Sequence, residues 1–370
     1  MPIRFRRVLL PLFLCTSCCW AQSNAAGNPQ PKRLANSAGG NVTASRSLRL
    51  VPIGTVLART EVARGLADLS CDSQGNLYLG SDSPATPGIR KLGPTGELLA
   101  RFAPTNNPDV EVGGAGSFAV GQNGDMYVVV GAKNEITRHV LVFKSDGTYK
   151  SEIKLQPGFA WVPASIGIFA NGSLLMTGQE FVKGQPMLPF TGIFSGDGKL
   201  LKELDLEDDK VIDEMAVSGD SRVTSYSNPA SNRAVSWGKM QTARDGNIYV
   251  MRWLSPAIFY AVSPSGNVVR RFTVDPGRDD LMPMEMHISG DRIAVLFVQR
   301  ETHEKLMKVV DLEGNELATY DYERPADGVS KSELPHLGLA FACYTAKPER
   351  FTFLTTTDDY RIQLQFAEGR

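Results

Sequence analysis

Arg244-Asp245-Gly246-Asn247-Ile248-Tyr249-Val250 is the clearest copy of a pattern that recurs along this chain of 370 residues. A tight turn containing glycine leads into a short run of apolar and aromatic residues. Glycine and asparagine tolerate the positive φ angles of hairpin turns, and alternating apolar residues fit a pleated strand. Each copy therefore predicts a β-hairpin.

Two kinds of hairpin alternate along the sequence. Other copies of the first kind turn at Gly75, Gly124, Gly172 and Gly290. The second kind turns at Gly54, Gly96, Gly147, Gly198, Gly266 and Gly314, so that successive turns are 42, 51, 51, 68 and 48 residues apart. This period is typical of β-propellers, whose repeats are blades of four antiparallel strands.

The two ends of the chain complement each other in this pattern. A single strand at about residues 49–60 comes first, and three strands near 337–344, 350–355 and 360–367 come last. The N-terminal strand can complete the last blade and so remove two exposed sheet edges. We therefore expect an all-β protein, a six-bladed β-propeller of four-stranded antiparallel blades over residues 48–370, with the ring closed by the N-terminal strand.

The remaining segments are assigned from composition. Residues 1–21 resemble a signal peptide, because arginines precede a short apolar run and small residues precede Gln22. A lipid anchor on Cys18 or Cys19 is the alternative. Residues 22–47 are rich in Asn, Ala, Gly, Ser and Pro, which predicts a flexible linker. Residues 205–232 predict an insertion loop. The protein is thus expected to be exported, either periplasmic or extracellular.

Charge and motifs narrow the classes of function. The 39 basic and 40 acidic residues nearly cancel, which argues against nucleic acid as a partner. No stretch after the signal peptide is apolar and long enough to predict a membrane span. Phosphate-binding loops, Cys-x-x-Cys pairs and Gly-x-Ser-x-Gly elbows are missing from the sequence. We therefore predict no cofactor, and a monomer.

The hairpins that combine glycine, asparagine, an aliphatic residue and tyrosine resemble those of six-bladed propellers of the NHL type. The resemblance covers about residues 48–368. It implies the fold and little about function, because that family includes lactonases, lyases and pure interaction modules.

Candidate site residues come from the first strand of each blade, which lines the central channel of a propeller. Counting back seven residues from the turn glycine marks channel-lining candidates at Asp68, Ser117, Ser165 and Lys239. In the last two blades the nearby polar residues are Glu285, His287 and His336. One carboxylate, two serines and a lysine depart from the ligand set of a calcium lactonase, so no metal site is predicted. These side chains either solvate the channel or form an acid–base site.

Other chemically notable residues have two interpretations each. His139 and His303 fall in or before third strands, where we expect surface positions. Met282, Met284 and Met286 should share one face of a strand, where they either bind Cu(I) or fill the gap between blades.

The cysteines left after signal cleavage are Cys71 and Cys343, and each ends the first strand of its blade. Ring closure makes the two blades neighbours. The two cysteines therefore form either a disulfide across the seam or a pair of buried thiols.

Two functions remain at this stage. The first is a binding module that recognises a protein, peptide or glycan through rim loops and the channel mouth. The second is a lyase or hydrolase acting on small molecules, with catalytic candidates Asp68, Lys239, Glu285, His287 and His336. Convergence of these side chains on one point would favour the second.

Overall fold

The computed structural model describes residues 46–370 except 62–65, 82–87, 108–109, 134–137, 182–187, 208–237, 300–301, 303, 323–339 and 358–360. Outside the described residues lie the predicted signal peptide, almost all of the predicted linker, most of the predicted insertion loop, His303 and His336. Strand β1 begins at Arg46, two residues before the predicted start of the propeller.

Four sheets each contain four consecutive strands in antiparallel order. The first holds β2 (Leu66–Cys71), β3 (Leu77–Ser81), β4 (Gly88–Leu92) and β5 (Leu98–Phe102). The second holds β6 (Val112–Val120), β7 (Met126–Ala132), β8 (Arg138–Phe143) and β9 (Tyr149–Lys154). The third holds β10 (Trp161–Ile168), β11 (Leu174–Glu180), β12 (Leu188–Phe194) and β13 (Leu200–Glu203). The fourth holds β14 (Gly238–Thr242), β15 (Ile248–Arg252), β16 (Ala257–Val262) and β17 (Val268–Val274).

The other strands form one continuous sheet of eight, in the order β18-β19-β20-β21-β1-β24-β23-β22. Its members are β1 (Arg46–Glu61), β18 (Leu281–Ser289), β19 (Arg292–Gln299), β20 (Lys305–Asp311), β21 (Glu316–Tyr322), β22 (Ala340–Ala346), β23 (Glu349–Thr356) and β24 (Arg361–Gly369). The described strands thus form five sheets and not the expected six separate blades.

The N-terminal strand is the reason for this difference, because it pairs on both sides. Residues 46–49 of β1 run parallel to residues 318–321 of β21. From Leu50 to Glu61 the same strand runs antiparallel to β24. The N-terminal strand therefore joins the last strands of the chain, and both strand edges at the seam are covered along these segments.

The first strands of the repeats contact one another in a closed cycle, β2 to β6, β10, β14, β18, β22 and back to β2. Apolar clusters fill the spaces between successive groups of strands. Tyr78, Phe102, Met126 and Phe143, for example, lie between the first sheet and the second. This arrangement, with sheets packed face to face around an axis, is that of a β-propeller.

The turn glycines have the backbone geometry that the sequence predicts, with one exception. Gly75, Gly96, Gly124, Gly147, Gly172, Gly198, Gly246, Gly266, Gly290 and Gly314 all have positive φ. Gly54 instead lies inside β1, at an irregularity in its pairing with β24. Its interpretation as a hairpin turn was wrong, because an isolated glycine in a strand also marks a bulge.

Candidate functional site

Bulges in the first strands set the positions of the polar side chains around the axis. The pairing of β2 with β3 shifts between Leu66 and Asp68, and that of β18 with β19 shifts between Pro283 and Glu285. Asp68 and Glu285 thus each follow an extra residue, which re-aims the side chain relative to a regular strand. Lys239 lies on β14, which pairs with β15 without a shift.

Asp68, Lys239 and Glu285 meet although they come from three different groups of strands. The ammonium group of Lys239 donates to Asp68 Oδ1 at 2.6 Å and lies 3.3 Å from Glu285 Oε2. Strands β2 and β14 are not neighbours in the cycle of first strands, so the Lys239 side chain crosses the central space. All three side chains keep about a fifth of their surface exposed, at 24%, 22% and 20%. We call these three residues the axial cluster.

The axial cluster holds two carboxyl groups and one ammonium group, and this shifts their proton affinities. Burial raises the pKa of Glu285 to about 7, with Lys239 opposing the shift and Asp68 adding to it. Burial alone would lower the pKa of Lys239, but the charges of Glu285 and Asp68 outweigh it and raise that pKa. Lys239 is therefore charged at neutral pH, whereas Glu285 exchanges a proton near pH 7.

Asp68 is held from two sides. The backbone N–H of Leu69 donates to Asp68 Oδ1 at 2.9 Å, on the same oxygen that accepts from Lys239. Glu285 Oε2, by contrast, is buried and has no hydrogen bond to any described residue, because its 3.3 Å contact with Lys239 is an ion pair without hydrogen-bond geometry. Glu285 is thus the member of the axial cluster with unused bonding capacity.

His287 lies apart from the axial cluster. It is 2% exposed, its Nε2 donates to the carbonyl of Phe341 at 3.1 Å, and its Nδ1 lies 3.8 Å from Cys71 Sγ. Burial lowers the pKa of His287 to about 4, so the ring is neutral at physiological pH. The ring of His287 therefore packs against β22 and β2, with Nε2 hydrogen-bonded and Nδ1 in contact with a disulfide sulfur that has no proton to donate.

The two serine candidates also differ from the expectation of a solvated channel wall. Ser165 donates to the carbonyl of Gly238 at 2.7 Å and so ties β10 to β14. The Ser117 hydroxyl is buried at an irregularity between Ala115 and Phe118, and no residue in the described ranges forms a hydrogen bond with it. Neither hydroxyl is part of the axial cluster.

Gln241 is a residue near the axis that the sequence did not single out. Its amide oxygen accepts from the N–H of Ile288 at 2.8 Å, and its Nε2 donates to the carbonyls of Ile288 and Cys71 at 3.3 and 3.5 Å. Gln241 therefore bridges β14, β18 and β2. Its position two residues after Lys239 on one strand is the signal that could have identified it, because side chains i and i+2 share a face.

Cys71 and Cys343 are joined by a disulfide, with Cα atoms 5.4 Å apart. Both residues are buried in the apolar cluster that includes Ala58 of β1. The bond links β2 to β22, next to the place where the two ends of the chain meet.

Two other expectations were wrong. His139 is 3% exposed and pairs with Glu152, because β8 is a buried inner strand of its sheet. The bulge at Met284 places Met282 and Met286 on opposite faces of β18, since their partners on β19 are Val298 and Val295. The methionines therefore do not form a shared face for Cu(I).

No helix among the described residues has the length and apolar character needed to cross a membrane.

Comparisons with known proteins identify the fold alone. No protein-family model matches the sequence, including the NHL type, and no curated protein matches it. Among solved structures, an exported protein of Bacteroides fragilis aligns with a TM-score of 0.54 and 10% identity, covering 90% of this chain and 98% of its own. A member of the DUF4221 family from Bacteroides vulgatus aligns with a TM-score of 0.50 and 8% identity, covering 88% and 99%. The chain is thus similar in fold to these two proteins, which agrees with its own β-propeller architecture.

Proposed function

We propose that this protein is an exported six-bladed β-propeller that binds a hydroxyl-rich ligand, a glycan, at the end of the axis marked by the axial cluster. The observation that carries the proposal is that Asp68, Lys239 and Glu285 meet at 2.6 and 3.3 Å, while His287, another of the catalytic candidates, is buried in the core and takes no part in this meeting.

The count of six rests on how the eight-stranded sheet divides. Strand β1 pairs with β21 over four residues only, and with β24 along most of its length. Dividing the sheet between β21 and β1 leaves two groups of four strands. The cycle of six first strands and the apolar cluster between these two groups support the division.

The chemistry of the axial cluster favours a ligand with hydroxyl groups. An ammonium group donates hydrogen bonds, and carboxylates accept them, so together they match hydroxyls that do both. Phe181 is 44% exposed. It comes directly after β11, whose last residue, Glu180, pairs with the first residue of β10. We expect this exposed aromatic ring to offer an apolar face to a sugar ring.

Binding can be tested by calorimetry with a panel of neutral oligosaccharides on the purified mature protein. We expect at least one to bind, and the Lys239→Met variant to lose most of the affinity. Lys308→Met is the matched control, because Lys308 forms a similar half-buried ion pair with Glu316 on β21, in the outer part of its blade. Equal loss in both variants, or no binding to any oligosaccharide, would contradict the proposal.

A second function, a small-molecule lyase or hydrolase, is favoured by the convergence of Asp68, Lys239 and Glu285, which a reaction centre requires, and by the pKa of Glu285. A carboxyl group with a pKa of about 7 beside a lysine is the usual arrangement for general acid–base chemistry at neutral pH. In that case Glu285 would transfer the proton, and Lys239 would stabilise negative charge that develops on the substrate.

Comparing the parent protein with the Glu285→Gln variant distinguishes the two functions. Glu285→Gln keeps the shape of the side chain but cannot exchange a proton at neutral pH. For a binding module it should retain binding within a few-fold, whereas for an enzyme it should lower turnover by about 10²-fold or more. Turnover by the Gln variant at the parent rate would exclude Glu285 as the acid or base.

A further inference from the structure

A cavity of about 340 Å³ lies between the second sheet and the third, and none of its lining residues belongs to the axial cluster. Its walls are formed by Ala115 and Gly116 of β6, by residues 129–132 of β7, by Val162 and Pro163 of β10, and by Arg138 at the start of β8. Ligand pockets begin at about 300 Å³. Since a water molecule takes about 30 Å³ of liquid volume, this cavity has room for a molecule of roughly ten water volumes.

Arg138 is the charged group of this cavity, and its position depends on a glycine. A Cβ atom on Gly131 would lie only 2.5 Å from Nη1 of Arg138, so the guanidinium rests directly on the glycine backbone. Arg138 is half-buried. In the part of the chain that the structure describes, no carboxylate lies within ion-pair distance of it.

A half-buried guanidinium with no counter-charge among the described residues favours an anionic ligand, because it offers two parallel N–H donors that match a carboxylate. The remaining walls are alanine, glycine, valine and proline, which supply apolar contacts and no second positive charge. A doubly charged phosphate would need further donors to replace its hydration, whereas a monoanion needs fewer.

We propose that this cavity binds a small aliphatic monocarboxylate, with the carboxylate on Arg138 and the alkyl group against Val129 and Pro163. The site is independent of the axial cluster and goes beyond the glycan proposal. A ligand of about seven non-hydrogen atoms that contacts both the guanidinium of Arg138 and the apolar walls should bind with millimolar affinity.

The test uses the mature protein with valine methyl groups labelled for NMR, titrated with isovalerate, isovaleramide and inorganic phosphate. We expect isovalerate to shift the methyl signals of Val129 and Val162. Isovaleramide has the same shape without the charge, and phosphate has the charge without the alkyl group, so both should bind at least tenfold more weakly.

Two variants and a control make the result specific. Arg138→Met removes the charge while keeping an unbranched side chain, and Gly131→Ala displaces the guanidinium; each should weaken isovalerate binding at least tenfold. Arg101→Met, on the exposed strand β5, should leave it unchanged. Thermal melts check that the variants are folded. Isovalerate binding that survives in Arg138→Met, equal binding of isovaleramide, preferential binding of phosphate, or no valine shift in the parent would each overturn the proposal.

Discussion

Single residues near the axis carry the clearest electrostatic consequences. Burial and the charge of Asp68 disfavour the charged form of the Glu285 carboxyl group. The charge of Lys239 favours that form but offsets only part of this effect. The folded-state pKa of Glu285, about 7, lies above the ordinary value of 4.5. Between these two values the folded protein binds more protons than the unfolded chain, so stability falls as pH rises.

The first prediction follows from this decrease in stability with rising pH. The free energy of unfolding of the parent should decrease between about pH 5 and pH 8 relative to that of Glu285→Gln, by at most roughly 3.5 kcal/mol. Below about pH 4.5 the difference should no longer change with pH. Urea unfolding of both proteins at several pH values measures it. Parallel stability profiles for the two proteins would show that Glu285 titrates normally.

At the scale of elements, the disulfide and the N-terminal strand fasten the same seam. The disulfide links the first strand of one group to the first strand of its neighbour, and β1 covers the outer edges. The disulfide joins first strands near the axis, whereas β1 pairs with the last strands at the periphery. Each can therefore be tested by itself.

The second prediction concerns the disulfide. Cys71 and Cys343 are separated by 272 residues, and closing so long a loop restricts the unfolded chain strongly. The double variant Cys71→Ala/Cys343→Ala should lose roughly 3–5 kcal/mol of stability under oxidising conditions. A reductant should destabilise the parent in urea unfolding and leave the double variant unchanged. Thiol labelling of the unfolded, unreduced parent at both cysteines would contradict the bond.

The third prediction concerns β1. Deleting residues 22–61 should expose the edges of β24 and β21, and so cause aggregation or unfolding. Deleting residues 22–45 alone is the control, because it leaves every described residue of β1 in place. Size-exclusion chromatography and thermal melts compare the two. A soluble protein with the parent melting temperature after the longer deletion would rule out a closing role for β1.

In the whole molecule the first strands form a closed cycle, and three of these strands carry the side chains of the axial cluster. The axial cluster joins three groups of strands, while the Arg138 cavity lies between the second sheet and the third. The two proposed sites share no residue, so each can be altered without changing a residue of the other. The folds of the two Bacteroides proteins are compatible with this plan and do not specify a ligand.

The fourth prediction is that the protein is exported and processed before Gln22, giving a monomer. Expression with the native N-terminus in a Gram-negative host should place the chain in the periplasm or medium. Intact mass should then show loss of residues 1–21, and light scattering should give the mass of one chain. A full-length product retained in the cytoplasm would refute the signal peptide, and a mass increased by lipid would indicate anchoring at Cys18 or Cys19.

Local sequence determined the repeating hairpins of this protein, because turn geometry and strand alternation depend on neighbouring residues. Gly246 and Gly124, for example, take the positive φ that their turn sequences require. The same reasoning marked Asp68 and Lys239 at matching positions of their repeats. It could also place the N-terminal strand against the C-terminal one, since the unmatched strands at the two ends are visible in the sequence.

Only the tertiary structure decided which side chains meet. Lys239 reaches Asp68 across the axis because the first strands converge there, and Glu285 joins them because a bulge at Met284 turns it. The same bulge separates Met282 from Met286, and burial of β8 gives His139 a partner that its neighbours in sequence do not reveal. Bulges and the curvature of the ring arise from contacts between distant strands, so a pattern of period two cannot encode them.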